Sequence, residues 1–362
     1  MKKEAEITQP EDWFSGIKRP LIISGPCSAE SEDQVMKTAV GLAGTGRVHI
    51  FRAGIWKPRT TPRAFKGVGS IGLDWLVKVK QQTGLHVATE VATPQHVEEC
   101  LKCGIDVLWI GARTVSNPFS VQELAEALKG TDIPVLVKNP VNPDLGLWIG
   151  AFERLTRACV TKIAAIHRGF YPFERSPLRN IPKWEVPVEL KSLWPDLPII
   201  CDPSHIAGSR EAIAGISQKA LDLNMDGLMI ESHIHPEAAL SDAQQQLNPT
   251  ELDFLLKTLT FRTVAIDNKE FLNSLEQLRN QIDSIDSQII ELLGQRMEIV
   301  DRIGMFKKEN NITILQIKRW NAIVAALTAQ AEHNNLPIEF VRNFLQLIHQ
   351  ESIRRQTEIF KK

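Results

Sequence analysis

Residues 199–231 read IICDPSHIAGSREAIAGISQKALDLNMDGLMIE, and this stretch contains the unit that decides the fold. Two short apolar runs, IIC and GLMI, flank a loop and a segment typical of a helix. Each run has the length and composition of a strand buried on both faces. Six earlier runs are of the same kind: LIISGPC (21–27), HIFR (49–52), HVATE (86–90), VLWIGAR (107–113), VLVK (135–138) and IAAIHR (163–168). Eight strands alternating with helical segments predict an α/β fold, a closed (β/α)8 or TIM barrel, over residues 1–261.

A reactive or charged side chain ends each of these runs. The eight residues are Cys27, Arg52, Glu90, Arg113, Lys138, Arg168, His205 and Glu231. In barrels of this class the chemistry lies at the carboxyl ends of the strands, so we expect these side chains to share one rim. The distribution favours an enzyme.

Three of the eight residues are suited to binding a metal ion. Cys27, His205 and Glu231 end the first, seventh and eighth runs, and strand eight of a closed barrel lies beside strand one. Asp242, on the loop after the eighth run, would complete the set. A thiolate, an imidazole and carboxylates suit Mn, Fe, Co or Zn, so we predict one divalent metal ion. Taken alone, Cys27 is more often a small buried apolar residue, and His205 an ordinary loop histidine.

Positive side chains are concentrated at the other strand ends. They are Arg52, Lys57, Arg59, Arg113, Lys138 and Arg168. So many cations aimed into one mouth repel each other unless anions fill it, which predicts bound phosphate or carboxylate groups. Glu90 lies among them and either tunes a lysine or orients a water molecule; charge balance is the simpler alternative.

The composition excludes several classes of protein. The chain has 362 residues and a formal net charge of -1, so we expect binding neither to nucleic acid nor to a membrane surface. No apolar stretch reaches membrane-spanning length, and the start of the chain does not resemble a signal peptide. The five cysteines are an odd number, which favours free thiols and a cytoplasmic enzyme.

Residues 271–362 have a different pattern, after an expected linker at 262–270. Apolar residues recur at steps of three and four: Leu275, Leu278, Ile282, Ile285, Ile289, Leu292, Ile299, Ile303 and Phe306. This heptad seam predicts an all-α domain of one long helix and two shorter ones, at about 315–333 and 337–360. Three helices cannot cover so long a seam, so we expect a homodimer through this domain, and higher homo-oligomers stay open.

Arg296 interrupts the seam, and Lys307 lies about three turns further along the same face. Burying an unpaired guanidinium costs several kcal/mol. We interpret the two cations as a site for a small dianion. A polar residue that sets the helix register is the alternative for Arg296.

Taken in order, the motifs GPCSAE, FRAGIWKPRTTP, IGAR, VLVKNP, CDPSH and GLMIESH resemble the 3-deoxy-D-arabino-heptulosonate 7-phosphate (DAHP) synthase family. They are most similar to the branch related to 3-deoxy-manno-octulosonate 8-phosphate synthase. The resemblance covers residues from about 20 to 250. It implies the condensation of phosphoenolpyruvate with erythrose 4-phosphate, with release of phosphate, at the start of the shikimate pathway.

The resemblance also implies roles for the rim residues. The implied metal ligands are Cys27, His205, Glu231 and Asp242. The implied site for phosphoenolpyruvate consists of Arg113, Lys138 and Arg168, with Arg52 and Lys57 beside them. The implied site for the aldose phosphate consists of Arg59 and Thr60. The motif KPRT favours the four-carbon aldose because the octulosonate enzymes carry Asn where Pro58 stands. Arabinose 5-phosphate is the alternative acceptor. Lys57 and Glu90 are candidates for assisting the attack of water, and the general base is not assigned more sharply.

The C-terminal domain resembles the all-α chorismate mutase. The positions that match its substrate-contacting residues are Arg279, Arg296, Lys307, Arg319, Ser352 and Gln356. The resemblance implies an intertwined dimer in which Arg279 reaches the site of the other chain. Arg279 and Arg296 would hold the two carboxylates of chorismate, while Lys307 and Gln356 would face its ether oxygen.

Two positions depart from that family. Trp320 stands where the family has a Glu that contacts the substrate hydroxyl, and Gln316 stands where it has Asp. We therefore keep two hypotheses: a bifunctional synthase and chorismate mutase, or a synthase with a non-catalytic helical module for dimerisation and sensing. Some relatives carry an N-terminal regulatory domain, but only about twenty residues precede the first run here. We expect that domain to be absent and the helical domain to act as the feedback sensor.

Overall fold

The computed structural model describes residues 7–57, 65–173, 175–262 and 269–361. The chain divides into two compact units, Met1–Val264 and Ala265–Lys362. In the described ranges, no helix combines the length and the hydropathy that crossing a membrane requires.

The first unit is built on eight parallel strands that close into a barrel in chain order. The strands are β1 (Leu21–Gly25), β2 (Ile50–Arg52), β3 (His86–Val91), β4 (Val107–Ile110), β5 (Val135–Lys138), β6 (Ile163–His167), β7 (Ile199–Cys201) and β8 (Gly227–Glu231). Strand β8 pairs with β1 in a register that sets Gly25 opposite Glu231. The predicted barrel is confirmed.

The helices of this unit pack around the barrel. They are α1 (Glu32–Ala43), α2 (Ile71–Thr83), α3 (Pro94–Cys103), α4 (Ala112–Val115), α5 (Pro118–Leu128), α6 (Leu145–Arg157), α7 (Glu185–Leu193), α8 (Pro203–Ala207), α9 (Arg210–Asp222) and α10 (Pro249–Thr258). The barrel interior is filled by side chains from every strand, among them Ile23, Trp109, Leu136 and Met229. The barrel is therefore a packed core whose open chemistry is confined to its rim.

Four rim residues lie beyond the strands that the sequence assigned to them, and one of these, Arg168, directly follows β6. Cys27 follows β1 by two residues, while Arg113 and His205 lie on the short helices α4 and α8. Strand β7 ends at Cys201 because Asp202 caps α8, accepting a hydrogen bond from the backbone N–H of His205, and Pro203 occupies the first turn of that helix. The chain thus turns at the rim and directs these side chains over the mouth.

The second unit consists of α11 (Lys269–Glu309), α12 (Ile317–His333) and α13 (Ile338–Lys361), with α13 packed against both other helices. Helix α11 begins at Lys269, inside the segment expected as a linker, and α12 begins at Ile317 rather than at residue 315. The heptad seam on α11 is largely uncovered in one chain, since Leu278, Ile282 and Leu292 are 56%, 57% and 63% exposed.

Candidate active sites

The first candidate site is a cavity of about 320 Å³ at the rim where the strands end. Its lining includes Cys27, Lys57, Glu90, Arg113, Lys138, Arg168, Arg179, Asn180, His205 and Asp242. Eight of these residues were candidates from the sequence, and the fold brings them together although they lie up to 215 positions apart in the chain. Arg59 and Thr60 lie outside the described residues.

The candidate metal ligands form one cluster in this cavity and directly beneath it. The Sγ atom of Cys27 lies 3.3 Å from Oδ2 of Asp242. The Nε2 atom of His205 lies 3.7 Å from Oε1 of Glu231 and 3.9 Å from Oδ2 of Asp242. Ligand atoms of Cys27, Glu231 and Asp242 all fall within 4.8 Å of one another. The spacing and the donor types suit a divalent ion of the borderline class.

The buried carboxylate of Glu231 provides a separate test of that fit. Its side chain is fully buried, and Oε1 accepts no hydrogen bond from any of the described residues. A buried charged oxygen without a hydrogen bond is costly unless a cation neutralises it. The Nη2 atom of Arg52 lies 3.3 Å from Oε1 of Glu231. The side of the carboxylate that faces Cys27 and His205 is left for a metal ion.

Burial sets the protonation of the other two ligands. It raises the pKa of the Cys27 thiol to about 12, with the negative charge of Glu231 adding to the effect. Burial also lowers the pKa of His205, which keeps the imidazole neutral and able to coordinate. A metal ion would therefore have to displace the thiol proton, and its affinity rises with pH.

Two adjacent glutamines, which the sequence reasoning missed, hold the cluster from outside. Gln245 donates from Nε2 to Oε2 of Glu231 at 2.6 Å and accepts from Nη1 of Arg179 at 2.6 Å. Gln246 accepts from the backbone N–H of Cys27 at 2.9 Å and donates to the carbonyl of Ser241 at 2.8 Å. Both are buried, so the loop that carries Asp242 is tied to the residues that hold Glu231 and Cys27. The unexplained run QQQ at 244–246 was the only signal in the sequence.

Asp202 links the metal cluster to the cationic half of the site and was also missed. Its carboxylate lies 2.8 Å from Nδ1 of His205 and accepts from Nζ of Lys138 at 2.9 Å. A carboxylate behind a histidine fixes the ring so that Nε2 faces the ion. Its position in the motif CDPSH, three residues before the histidine, was the available sequence signal.

The cations occupy the remaining wall of the cavity. Arg168 donates from Nη1 to Oδ1 of Asn180 at 3.0 Å, and its backbone N–H donates to Oδ1 of Asn139. Arg179, absent from the sequence candidates, lies 2.9 Å from Oδ1 of Asp242. Arg52 is placed differently from the other cations: it is 1% exposed, does not line the cavity, and lies over the Trp109 ring at 4.8 Å.

Glu90 faces the same cavity, and its position depends on a glycine. A Cβ atom on Gly111 would lie 2.1 Å from Oε1 of Glu90. Since that distance is far below van der Waals contact, any side chain at position 111 would displace the carboxylate. Gly111 thus leaves the space that the carboxylate of Glu90 occupies beside the cavity, which Lys57 also lines.

The second candidate site lies among the three C-terminal helices. Arg296 of α11 donates from Nη1 to Oγ of Ser352 on α13 at 2.8 Å, and Lys307 donates from Nζ to the carbonyl of Ile314. Gln356 is 7% exposed, and its Oε1 has no hydrogen-bond partner in the described part of the chain. The contact between Arg296 and Ser352 joins α11 to α13 at the position where the sequence predicts an anion site.

Two residues matched from the sequence, Arg279 and Arg319, are exposed in a single chain. Arg279 is 63% exposed and pairs with Glu276, and Arg319 is also exposed. Arg279 lies about 25 Å from Arg296 along α11, at 1.5 Å per residue. Within one chain it therefore does not reach the ligand that Arg296 would hold.

A family model described as DAHP synthetase I family matches residues 4–267. The chain belongs to this family. A second model, described as Chorismate mutase type II, matches residues 278–357, so the C-terminal helices form a domain of that type. Both resemblances noted in the sequence are confirmed.

The relatives of this DAHP synthetase I chain include proteins named for two different products. Phospho-2-dehydro-3-deoxyheptonate aldolase of Thermotoga maritima is 33% identical over 227 residues, which are 63% of this chain and 65% of that protein. The chain thus spans slightly less than two thirds of that relative. A 2-dehydro-3-deoxyphosphooctonate aldolase of Variovorax paradoxus is 26% identical over 72% of this chain and 97% of its own length. The crystal structure of the Thermotoga maritima DAHP synthase matches with a TM-score of 0.61 at 29% identity, covering 70% of this chain and 72% of that one.

We predict that Gln245→Leu weakens metal binding by about 10–100-fold, as expected when the residue that orients a ligand is lost. Removing the amide leaves Oε2 of Glu231 without its donor and releases Arg179. The measurement is a competition titration of Mn²⁺ or Co²⁺ against a chelator. Gln244→Leu, at the exposed neighbouring glutamine, is the matched control and should bind metal like the unsubstituted protein. Equal affinities in the two variants would contradict the role of Gln245.

Proposed function

We propose that the barrel condenses phosphoenolpyruvate with erythrose 4-phosphate to DAHP and phosphate, using one divalent ion of Mn, Fe, Co or Zn. The observation that carries the proposal is a single cavity in which a candidate metal cluster adjoins Lys57, Arg113, Lys138, Arg168 and Arg179. Phosphoenolpyruvate has a phosphate and a carboxylate, and such a wall of cations suits both groups.

Each part of the cavity has a task in this reaction. Arg113, Lys138 and Arg168 bind phosphoenolpyruvate, and Arg52 supports the cluster from beneath. Arg59 and Thr60 are assigned to the aldose phosphate by the family motif alone. The metal ion would polarise the aldehyde as a Lewis acid. The methylene carbon forms the new C–C bond with the aldehyde carbon, water adds to the electron-poor carbon that results, and phosphate leaves. Lys57 and Glu90 line the same cavity and are the candidates for assisting the attack of that water and accepting its proton.

The aldose decides between this function and the octulosonate reaction that other relatives are named for. We expect phosphate to be released at least about tenfold faster with erythrose 4-phosphate than with arabinose 5-phosphate. An enzyme discriminates between two acceptors by the difference in the free energy with which it binds their transition states. The assay measures phosphate with each aldose separately, and repeats it after treatment with a strong chelator and after Mn²⁺ is restored. A preference for arabinose 5-phosphate would replace the proposed product, and full activity in chelator would remove the metal from the proposal.

For the helical domain we propose the rearrangement of chorismate to prephenate. Arg296 and Lys307 supply positive charge, Ser352 accepts a hydrogen bond from Arg296, and the buried Gln356 lies one turn further along α13. The reaction involves no proton transfer, so holding the folded conformer and stabilising charge on the breaking ether bond suffices. The unpartnered, buried amide oxygen of Gln356 supports a ligand at this position.

Arg296→Ala is expected to lower chorismate turnover by about 100-fold or more, because it removes the half-buried guanidinium that would hold a carboxylate and keep the substrate in its reactive conformer. The measurement is loss of chorismate absorbance. Arg302→Ala, at an exposed arginine of the same helix, is the control and should keep its activity. An unsubstituted chain that binds chorismate without converting it would favour the alternative, a sensor and dimerisation module.

We propose that the chain forms a homodimer through α11. The exposed seam on this helix is the apolar surface such a dimer would cover, and Arg279 is too far from Arg296 to share its ligand within one chain. The residue would then complete the site of the partner subunit.

Mixing two inactive variants tests this shared site. Arg279→Ala and Arg296→Ala should each be inactive alone, whereas random mixed dimers contain one intact site in half of the molecules. Co-expression should therefore restore up to about one quarter of the mutase activity of the unsubstituted chain. Sites built within a single chain would leave the mixture inactive.

We further propose that the helical domain regulates the barrel. The two family assignments support a shikimate-pathway enzyme, and chorismate forms downstream of DAHP in that pathway. We expect prephenate to inhibit phosphate release by the full chain, and Arg296→Ala to abolish that inhibition while the synthase rate without prephenate is unchanged, because coupling requires binding at the second site. Inhibition that survives the substitution would contradict this route of control.

A further inference from the structure

Helix α13 presents a third polar side chain on the face that carries Ser352 and Gln356. His349 precedes them by three and seven residues, and residues at this spacing lie on the same side of a helix. Neither the resemblance to chorismate mutase nor the charge pattern singled out this histidine.

The surroundings of His349 fix its ring and leave one nitrogen available. The imidazole stacks on the Trp320 ring of α12, with the ring centroids 4.1 Å apart and the planes at 15°. Its Nε2 atom is buried and has no hydrogen-bond partner among residues 269–361 or elsewhere in the described chain. A buried polar atom without a partner is costly, so its retention points to a ligand that satisfies it.

The charges around His349 place it at the anion site. Burial lowers its pKa, and the positive charges of Arg296 and Lys307 lower it further. The ring is therefore neutral at physiological pH, and it lies one turn before Ser352, which accepts a hydrogen bond from Arg296. A neutral imidazole can accept a hydrogen bond at one nitrogen and donate at the other.

The polar groups of chorismate are two carboxylates, an ether oxygen and a ring hydroxyl. In the proposed site, Arg279 and Arg296 bind the two carboxylates, and Lys307 and Gln356 contact the ether oxygen. The hydroxyl is left without a partner, and the Nε2 atom of His349 is left without one on the protein side. We infer that His349 hydrogen-bonds the ring hydroxyl of the substrate, and that the stack on Trp320 holds the imidazole in place. This inference rests on the proposed mutase function.

The test compares ligands with and without the hydroxyl in the full chain. His349→Phe keeps an aromatic ring for the stack and removes both nitrogens, and His349→Gln returns a polar nitrogen near the position of Nε2. We expect His349→Phe to lower kcat/KM for chorismate about tenfold, consistent with the loss of one hydrogen bond to a buried group, and His349→Gln to recover part of it. A chorismate analogue lacking the ring hydroxyl should be converted equally by the unsubstituted chain and by His349→Phe. His333→Phe, at an exposed histidine of α12, is the control for the aromatic substitution.

Equal losses on both substrates would overturn the inference, because a packing defect does not distinguish the hydroxyl. Calorimetric binding of prephenate, which keeps the hydroxyl, is the second readout, and His349→Phe should weaken it about tenfold. If the unsubstituted chain binds prephenate but does not convert chorismate, the mutase proposal fails while the binding comparison still decides the role of His349. Unchanged prephenate affinity in His349→Phe overturns the inference in either case.

Discussion

Closure of the barrel between β8 and β1 is the constraint on which the rest of the first unit depends. The register that sets Gly25 opposite Glu231 brings the segment after β1 beside the end of β8. Cys27 and Glu231 are separated by 204 positions in the chain, yet their ligand atoms lie within 4.8 Å. Parallel strands align their carboxyl ends, so Glu90, Arg113, Lys138, Arg168 and His205 line one cavity once the ring is closed.

Charge balance within that rim explains why so many ionised groups are stable side by side. Asp202, Glu231 and Asp242 lie at or after the ends of β7 and β8, whereas Arg113, Lys138 and Arg168 lie at or after the ends of β4 to β6. Asp202 is paired with both His205 and Lys138. The two halves are thereby coupled: a substitution at Asp202 would disturb a candidate metal ligand and a candidate substrate contact together. Paired buried charges are tolerated, whereas a single one left alone is strongly destabilising.

The sequence predicted the elements that repeat and missed the contacts that do not. Strand-sized apolar runs identified all eight strands, and the heptad seam identified α11, because burial imposes a period on the side chains. Cys27, Arg113, Arg168 and His205 were assigned to strand ends, although each lies past its strand, His205 because Asp202 caps α8. Asp202, Arg179, Gln245 and His349 escaped notice because single polar contacts between distant segments leave no periodic trace. Whether the candidate residues act as assigned stays a prediction.

The close approach of Gly111 to Glu90 has a consequence for how this enzyme can diversify. Any residue other than glycine at position 111 would force the carboxylate of Glu90 to move from its present place. We therefore expect a side chain at position 111 only where Glu90 takes another conformation or is itself replaced. Homologous lineages that alter one of these two positions should alter the other as well, so that the pair evolves as a unit.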